Sequence, residues 1–198
     1  GGVVSVFGGF YAGFDLQTRR EVLFSDVDLP YVWPLTNRIS TVDQTVVRLV
    51  SYGNSVLVLT DDIPLVFTGT SPDMMTVSST ATHAPCVSRR SVVQIGASVV
   101  YASDDGLYTI PISGETQVTN LTQNHFDRKA WRDLHPETSF GVVHNNQIFL
   151  WFPNAVDPVF CCQRYVFADG LSAMTCHDEL CEAAITIADR GVVMLRRA

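Results

Sequence analysis

The chain has 198 residues, 46% of them hydrophobic and 17% charged, with 13 Lys and Arg against 20 Asp and Glu and a formal net charge of −7. That length holds one substantial core or a row of small repeated units, and a mean hydropathy of +0.17 argues against disorder. The acidic balance, with a pI near 5.0, predicts no tight nucleic-acid binding by counterion release, and no apolar run approaches the ~20 residues of a membrane-spanning helix.

Val3 to Phe7, Gly8-Gly9, then Phe10 to Phe14 reads as strand, glycine turn and strand. Val47 to Tyr52, Gly53-Asn54 and Ser55 to Leu59 repeat the phrase. Ser91 to Ile95, Gly96-Ala97 and Val99 to Ala102 form the third copy, and Asp104-Asp105-Gly106 turns that copy into a further strand, Leu107 to Ile112. Phe140 to His144, Asn145-Asn146 and Gln147 to Trp151 give the fourth, and Ala184 to Ala188, Asp189-Arg190-Gly191 and Val192 to Leu195 the fifth. The turn residues Gly8, Gly53, Gly96, Asn145 and Asp189 stand 45, 43, 49 and 44 residues apart. A period of about 40–50 residues with several short strands per unit is the mark of propeller blades. Arg20 to Ser25 and Ile63 to Gly69 follow the first two pairs as Leu107 to Ile112 follows the third, so each unit is expected to be an antiparallel meander of three or four strands.

The expected fold is therefore all-β: one β-propeller-like domain or propeller fragment over 1–198, with units near 3–46, 47–90, 91–138, 139–183 and a partial 184–198. An irregular β-sandwich with evenly spaced turns is the plainer alternative. One short helix is predicted over Asn124 to Leu134, with Phe126, Ala130, Trp131 and Leu134 on one side, Thr122 or Asn124 as cap and Pro136 beyond its end. The first residues, Gly1-Gly2-Val3, and the last, Met194 to Ala198, suggest a part of a longer polypeptide.

Chemistry-bearing residues are sparse. Cys86, Cys161, Cys162, Cys176 and Cys181 are odd in number. A zinc site from Cys176, His177, Cys181 and the Cys161-Cys162 pair lacks a repeated two-residue knuckle spacing, so neither metal nor cofactor is expected; a Cys176–Cys181 disulfide ranks above zinc, and reduced thiols above both. His83, His125, His135, His144 and His177 are scattered through turns and strand ends, where a histidine is more often a surface residue than a catalyst. Ser103-Asp104-Asp105-Gly106 and Asp169-Gly170 invite comparison with the aspartate turns of sialidase-like propellers, but the usual spacing, with an aromatic several residues after the glycine, is not met and turn chemistry suffices. Arg89-Arg90, near Arg48 or Arg128, could meet an anion, yet neighbours on a strand point to opposite faces. No nucleophile elbow, phosphate loop or paired-carboxylate signature is present, which predicts a protein that is not an enzyme. Tyr31 and Trp33, fixed between Pro30 and Pro34, and Trp131 in the helical insert are the candidate interaction surface.

Several stretches taken together carry a resemblance. They are Leu23 to Pro34 (LFSDVDLPYVWP), Val58 to Asp61 with Phe67 to Pro72, Cys86 to Ser91, Val100 to Leu107 and Trp131 to Pro136. Across roughly residues 3 to 152 the chain resembles the β-propeller tail proteins of short-tailed phages and prophages, of the tail-nozzle or tail-tubular-protein-B kind. The resemblance implies a non-enzymatic virion component made in the bacterial host cytoplasm. It also implies partners among other tail, portal and adaptor proteins, and a homo-oligomeric ring in the full-length parent that conducts DNA during ejection. The rival expectations are a receptor- or glycan-binding tail module and, behind it, a sialidase-like or polysaccharide-degrading enzyme.

Overall fold

The computed structural model describes residues 2–52, 55–111, 117–155, 164–167, 174–177, 181–188 and 191–195. Among the described residues the strands form four antiparallel meanders of four and one hairpin of two. The first sheet is β1 (Val3–Val6), β2 (Phe10–Phe14), β3 (Glu21–Phe24) and β4 (Arg38–Ser40); the second is β5 (Val46–Tyr52), β6 (Ser55–Thr60), β7 (Leu65–Thr68) and β8 (Thr76–Ser79). The third is β9 (Val93–Ile95), β10 (Ser98–Ala102), β11 (Leu107–Pro111) and β12 (Thr119–Asn120). The fourth is β13 (Phe140–His144), β14 (Gln147–Trp151), β15 (Arg164–Phe167) and β16 (Met174–His177), and the hairpin is β17 (Ala183–Ile187) with β18 (Gly191–Leu195). The all-β expectation holds, although the described residues do not make a closed propeller.

The turns at Gly8, Gly96 and Asn145 that set the repeat each join the first two strands of a sheet, while those at Gly53 and Asp189 lie outside the described residues. His144 pairs with Gln147 around Asn145 and Asn146, both with positive φ, as a two-residue type I′ turn requires. Gly8 and Gly9 supply positive φ between β1 and β2, and Gly96 does so between β9 and β10. Gly106 is different: it closes its turn by accepting the Ser103 amide at 2.8 Å, and no left-handed φ is involved. Glycine is needed there because a Cβ would stand 2.5–2.8 Å from the side chain of Asn120.

The chain divides into two compact units, Gly1–Cys86 and Val87–Ala198. In the first, β5 of the second sheet lies against β1, and the two sheets bury a shared core. Strand alternation selects its members: Phe10, Ala12 and Phe14 of β2 point inward, as do Val22 and Phe24 of β3. They meet Val56 and Val58 of β6 and Phe67 of β7, with Phe24 within 6.1 Å of Phe67 and 6.2 Å of Phe10 between ring centroids. Each of these buried Val and Phe side chains contributes about 1.5–3 kcal/mol by leaving water.

In the second unit β13 lies against both β9 and β17, so the fourth sheet is covered on two faces. Ile148 and Leu150 of β14 join Val100, Leu107, Trp131 and Phe152 on one side. Phe140, Phe149 and Trp151 face the other, where Ala184, Val192 and Met194 of the hairpin pack. Phe140 and Trp151 stack at 5.3 Å, and the Arg90 guanidinium lies 4.7 Å above the Phe140 ring while donating to the Glu182 carbonyl at 3.1 Å.

The helix is shorter than its expectation. It spans α1 (Arg128–Asp133), and Asp127 caps it by accepting the Ala130 amide at 2.7 Å. Thr122 cannot serve as cap because its hydroxyl is engaged with Asn120 at 3.1 Å and takes the Leu107 amide at 2.9 Å, while its carbonyl closes a turn with His125 and Phe126. Trp131 and Leu134 are buried, but Ala130 faces water. Pro136 opens a 3-10 turn, Pro136–Thr138, after His135 in the left-handed region.

Candidate interaction surface

Residues 25–37 connect β3 to β4 and hold themselves together. The Ser25 hydroxyl takes the Tyr11 amide at 2.9 Å and donates to the Asp26 carbonyl at 3.0 Å. The Asp26 amide reaches the Val32 carbonyl at 2.9 Å, and the Asp28 amide reaches Gly9 at 2.7 Å. Asp28 itself has φ of 58°, and its carboxylate occupies the space a Cβ on Gly9 would fill. The loop is thus a compact platform tied to the β1–β2 turn.

This platform delivers Trp33. Its indole nitrogen donates to the Pro30 carbonyl at 3.0 Å, and its ring lies over Gly13, where an added Cβ would come within 3.3 Å of two ring carbons. Gly13 is therefore a seat for the indole. Trp33, Gly13, Val3, Leu16, Leu23 and Phe14, with Gly2, line a shallow apolar pocket of about 220 Å³. Val3, Gly13 and Leu23 alternate with the core residues of the same strands, so the pocket lies on the sheet face turned away from the core. No lining residue titrates, and Arg38 pairs with Glu21 at 3.4 Å across β3 and β4 on the same face. The chemistry available is burial of apolar surface, not proton transfer.

Of the three residues expected to form an interaction surface, the structure brings Tyr31 and Trp33 into one loop and separates Trp131. Tyr31 is 77% exposed at the loop tip. Trp131 is 1% exposed and donates to the Ser103 carbonyl at 2.8 Å, between Phe126 and Phe152 at 5.6 Å each. It is a core residue: an amphipathic helix turns its largest apolar side chain inward, and the buried carbonyl satisfies the indole. Val3, Gly13, Leu16 and Leu23 escaped the sequence reading. Their signal was present in β3, where Val22 and Leu23 are apolar on both faces, the pattern of a strand covered on two sides.

The other candidates resolve into structural roles. Asp61 accepts the Thr45 amide at 2.7 Å, Asp62 pairs with His83 at 2.9 Å, and Asp105 pairs with Arg128 at 3.4 Å. The Thr18 hydroxyl and the amides of Gln17 and Thr18 hold the Asp15 carboxyl below its ordinary pKa. Burial first, then the Asp105 hydrogen bond and charge, raise the Tyr108 phenol above its own. A small open cleft of about 140 Å³ is lined by Val87 and Pro136 together with Asp104, Arg132 and Glu137. His135 pairs with Glu137 at 2.8 Å. Cys86 is buried, and the Cys181 sulfur lies 2.9 Å from the Ala183 carbonyl. No metal-ligating cluster of three or more groups occurs among the described residues. The zinc and disulfide readings turn on the side chains of Cys161, Cys162, Cys176 and His177, which lie outside the described residues, as does Asp169-Gly170.

No protein-family model matches the chain, and no curated protein matches it. Among solved structures it is similar, at 9% identity and a TM-score of 0.49, to a chain in the S. cerevisiae assembly of a Dbp5 variant with Nup159, a Gle1 variant, IP6 and ADP. The match covers 88% of this chain but 42% of that one. Function has to be read from the chain's own residues.

Proposed function

We propose that the chain is a structural, non-enzymatic element of a phage or prophage tail, of the nozzle or tail-tube kind, acting beside portal and adaptor proteins. The observation that carries the reading is the sequence resemblance over residues 3–152, and the regular succession of four-stranded meanders is compatible with it. A conduit for DNA must let its cargo pass, and a net charge of −7 suits passage over capture. The test has two parts. Antibody raised against this chain should label the tail of purified virions, and label confined to the host cytosol would refute the role. Gel-shift titration should detect no submicromolar, salt-sensitive binding of double-stranded DNA; such binding would point to a gripping surface.

A second reading, a receptor- or glycan-binding tail module, is favoured by the exposure of Tyr31 beside Trp33 on one tied loop. Glycan-array binding abolished by Tyr31→Ala would select it over the conduit.

A further inference from the structure

The fifth sheet departs from the pattern of the other four. In each of those the second strand lies between two neighbours: β2 between β1 and β3, β6 between β5 and β7, β10 between β9 and β11, β14 between β13 and β15. These positions are enclosed, with Val56, Leu57, Val58 and Leu59 of β6, Val99 and Val100 of β10, and Ile148 and Leu150 of β14 fully buried. β18 is the second strand of its hairpin and, among the described residues, pairs with β17 alone. Its sequence, GVVML, is apolar at successive positions, the composition of a strand covered on both faces. Yet Val193 and Leu195 are 43% and 62% exposed.

The hairpin is held in place on its inner side. Ala184, Val192 and Met194 pack on the fourth sheet, the Thr186 hydroxyl donates to the Val143 carbonyl at 2.7 Å, and the Glu182 amide reaches the Leu195 carbonyl at 2.9 Å. On the outer edge of β18, alternate amides and carbonyls point away from β17. The devices that usually guard such an edge are missing, since the strand has no charge, no proline and an unbroken register with β17. The other sheets show what fills the equivalent place. It is an antiparallel third strand with three apolar residues and one polar or charged one, as in β3 (EVLF), β7 (LVFT) and β15 (RYVF). Each third strand already sits between a second and a fourth, so none of them is available to β18. We infer that the free edge of β18 takes up an extended strand of another polypeptide, antiparallel and of third-strand composition, which pairs with its backbone and lies beside Val193 and Leu195. The inference rests on the pattern of the sheets and not on the proposed tail role.

The probe is a dye-labelled, end-capped peptide with the β3 sequence and one residue on each side, REVLFS (residues 20–25), titrated with the purified chain to about 1 mM. Fluorescence anisotropy should show saturable binding, and hydrogen exchange should slow at alternate amides of β18. The peptide carrying Val22→Pro/Leu23→Pro should not bind, because one of two adjacent residues faces β18 in any register and proline has no amide to donate. Val193→Lys/Leu195→Lys in the chain should weaken binding about tenfold by removing two apolar cross-strand neighbours. Absence of saturable binding overturns the inference. So does binding that survives the two prolines, which would mean side-chain contact without strand pairing, and so does protection that falls outside β18. A dimer of the chain alone that the lysine variant abolishes would mean that a second copy holds the edge, and also overturns it. If the lysine variant loses its strand signal by circular dichroism, the exchange pattern of the parent with each peptide decides.

Discussion

Replacing Trp131 separates a core residue from a docking residue. The indole is 1% exposed, donates to the Ser103 carbonyl at 2.8 Å, and meets Phe126 and Phe152 edge-on at 5.6 Å. Truncating a buried aromatic to alanine costs about 3–5 kcal/mol, including the cavity that neighbours only partly fill. With a urea dependence of about 2 kcal/mol per molar, the midpoint should fall by ~2 M. Trp131→Phe keeps most of the packing but leaves the Ser103 carbonyl without its donor, for a loss of about 1–3 kcal/mol. Urea titration followed by far-UV circular dichroism reads both, and hydrogen exchange locates the change. Protection should drop at Leu107, Leu134 and Leu150, which share the cluster, and persist at Phe10 and Val58 of the first unit. A Trp131→Ala midpoint within about 0.5 M of the parent would refute the core assignment.

Gly106→Ala should destabilise by about 1–3 kcal/mol, because the new methyl strikes the Asn120 side chain, which accepts the Thr122 amide at 2.9 Å. Adding Asn120→Ala should recover part of that loss, and strict additivity of the two changes in a thermal melt would contradict the steric account. Tyr108 should ionise above the ordinary phenol value of about 10. Because its folded pKa is raised, the stability it contributes is complete below the unfolded value and is lost as pH rises through the folded one. Absorbance titration of the parent against Tyr108→Phe checks this, and Asp105→Asn should lower the Tyr108 midpoint; no difference between the two Asp105 forms would remove that carboxylate as a cause.

The positions of the hairpins were legible in the sequence because a tight turn is a local problem. Asn145, Asn146 and Gly96 solve it as residues that tolerate positive φ, flanked by apolar strands, and those turns lie where the repeat placed them. The fourth strand of the first three sheets was not legible: β4, β8 and β12 are short and polar (RIS, TVSS, TN), and only pairing with an established neighbour makes them strands. Trp131 and Trp33 are equally aromatic on the page, yet one is enclosed and the other lines an open pocket. That choice belongs to tertiary structure, because burial depends on what the rest of the chain brings alongside. Gly13 and Gly106 make the same point: neither has a left-handed φ, yet a Cβ on Gly106 would strike the Asn120 side chain and one on Gly13 would crowd the Trp33 ring at 3.3 Å. Sequence determined where the backbone turns, which depends on neighbouring residues; the fold decided which faces are covered, which depends on residues far away in the chain.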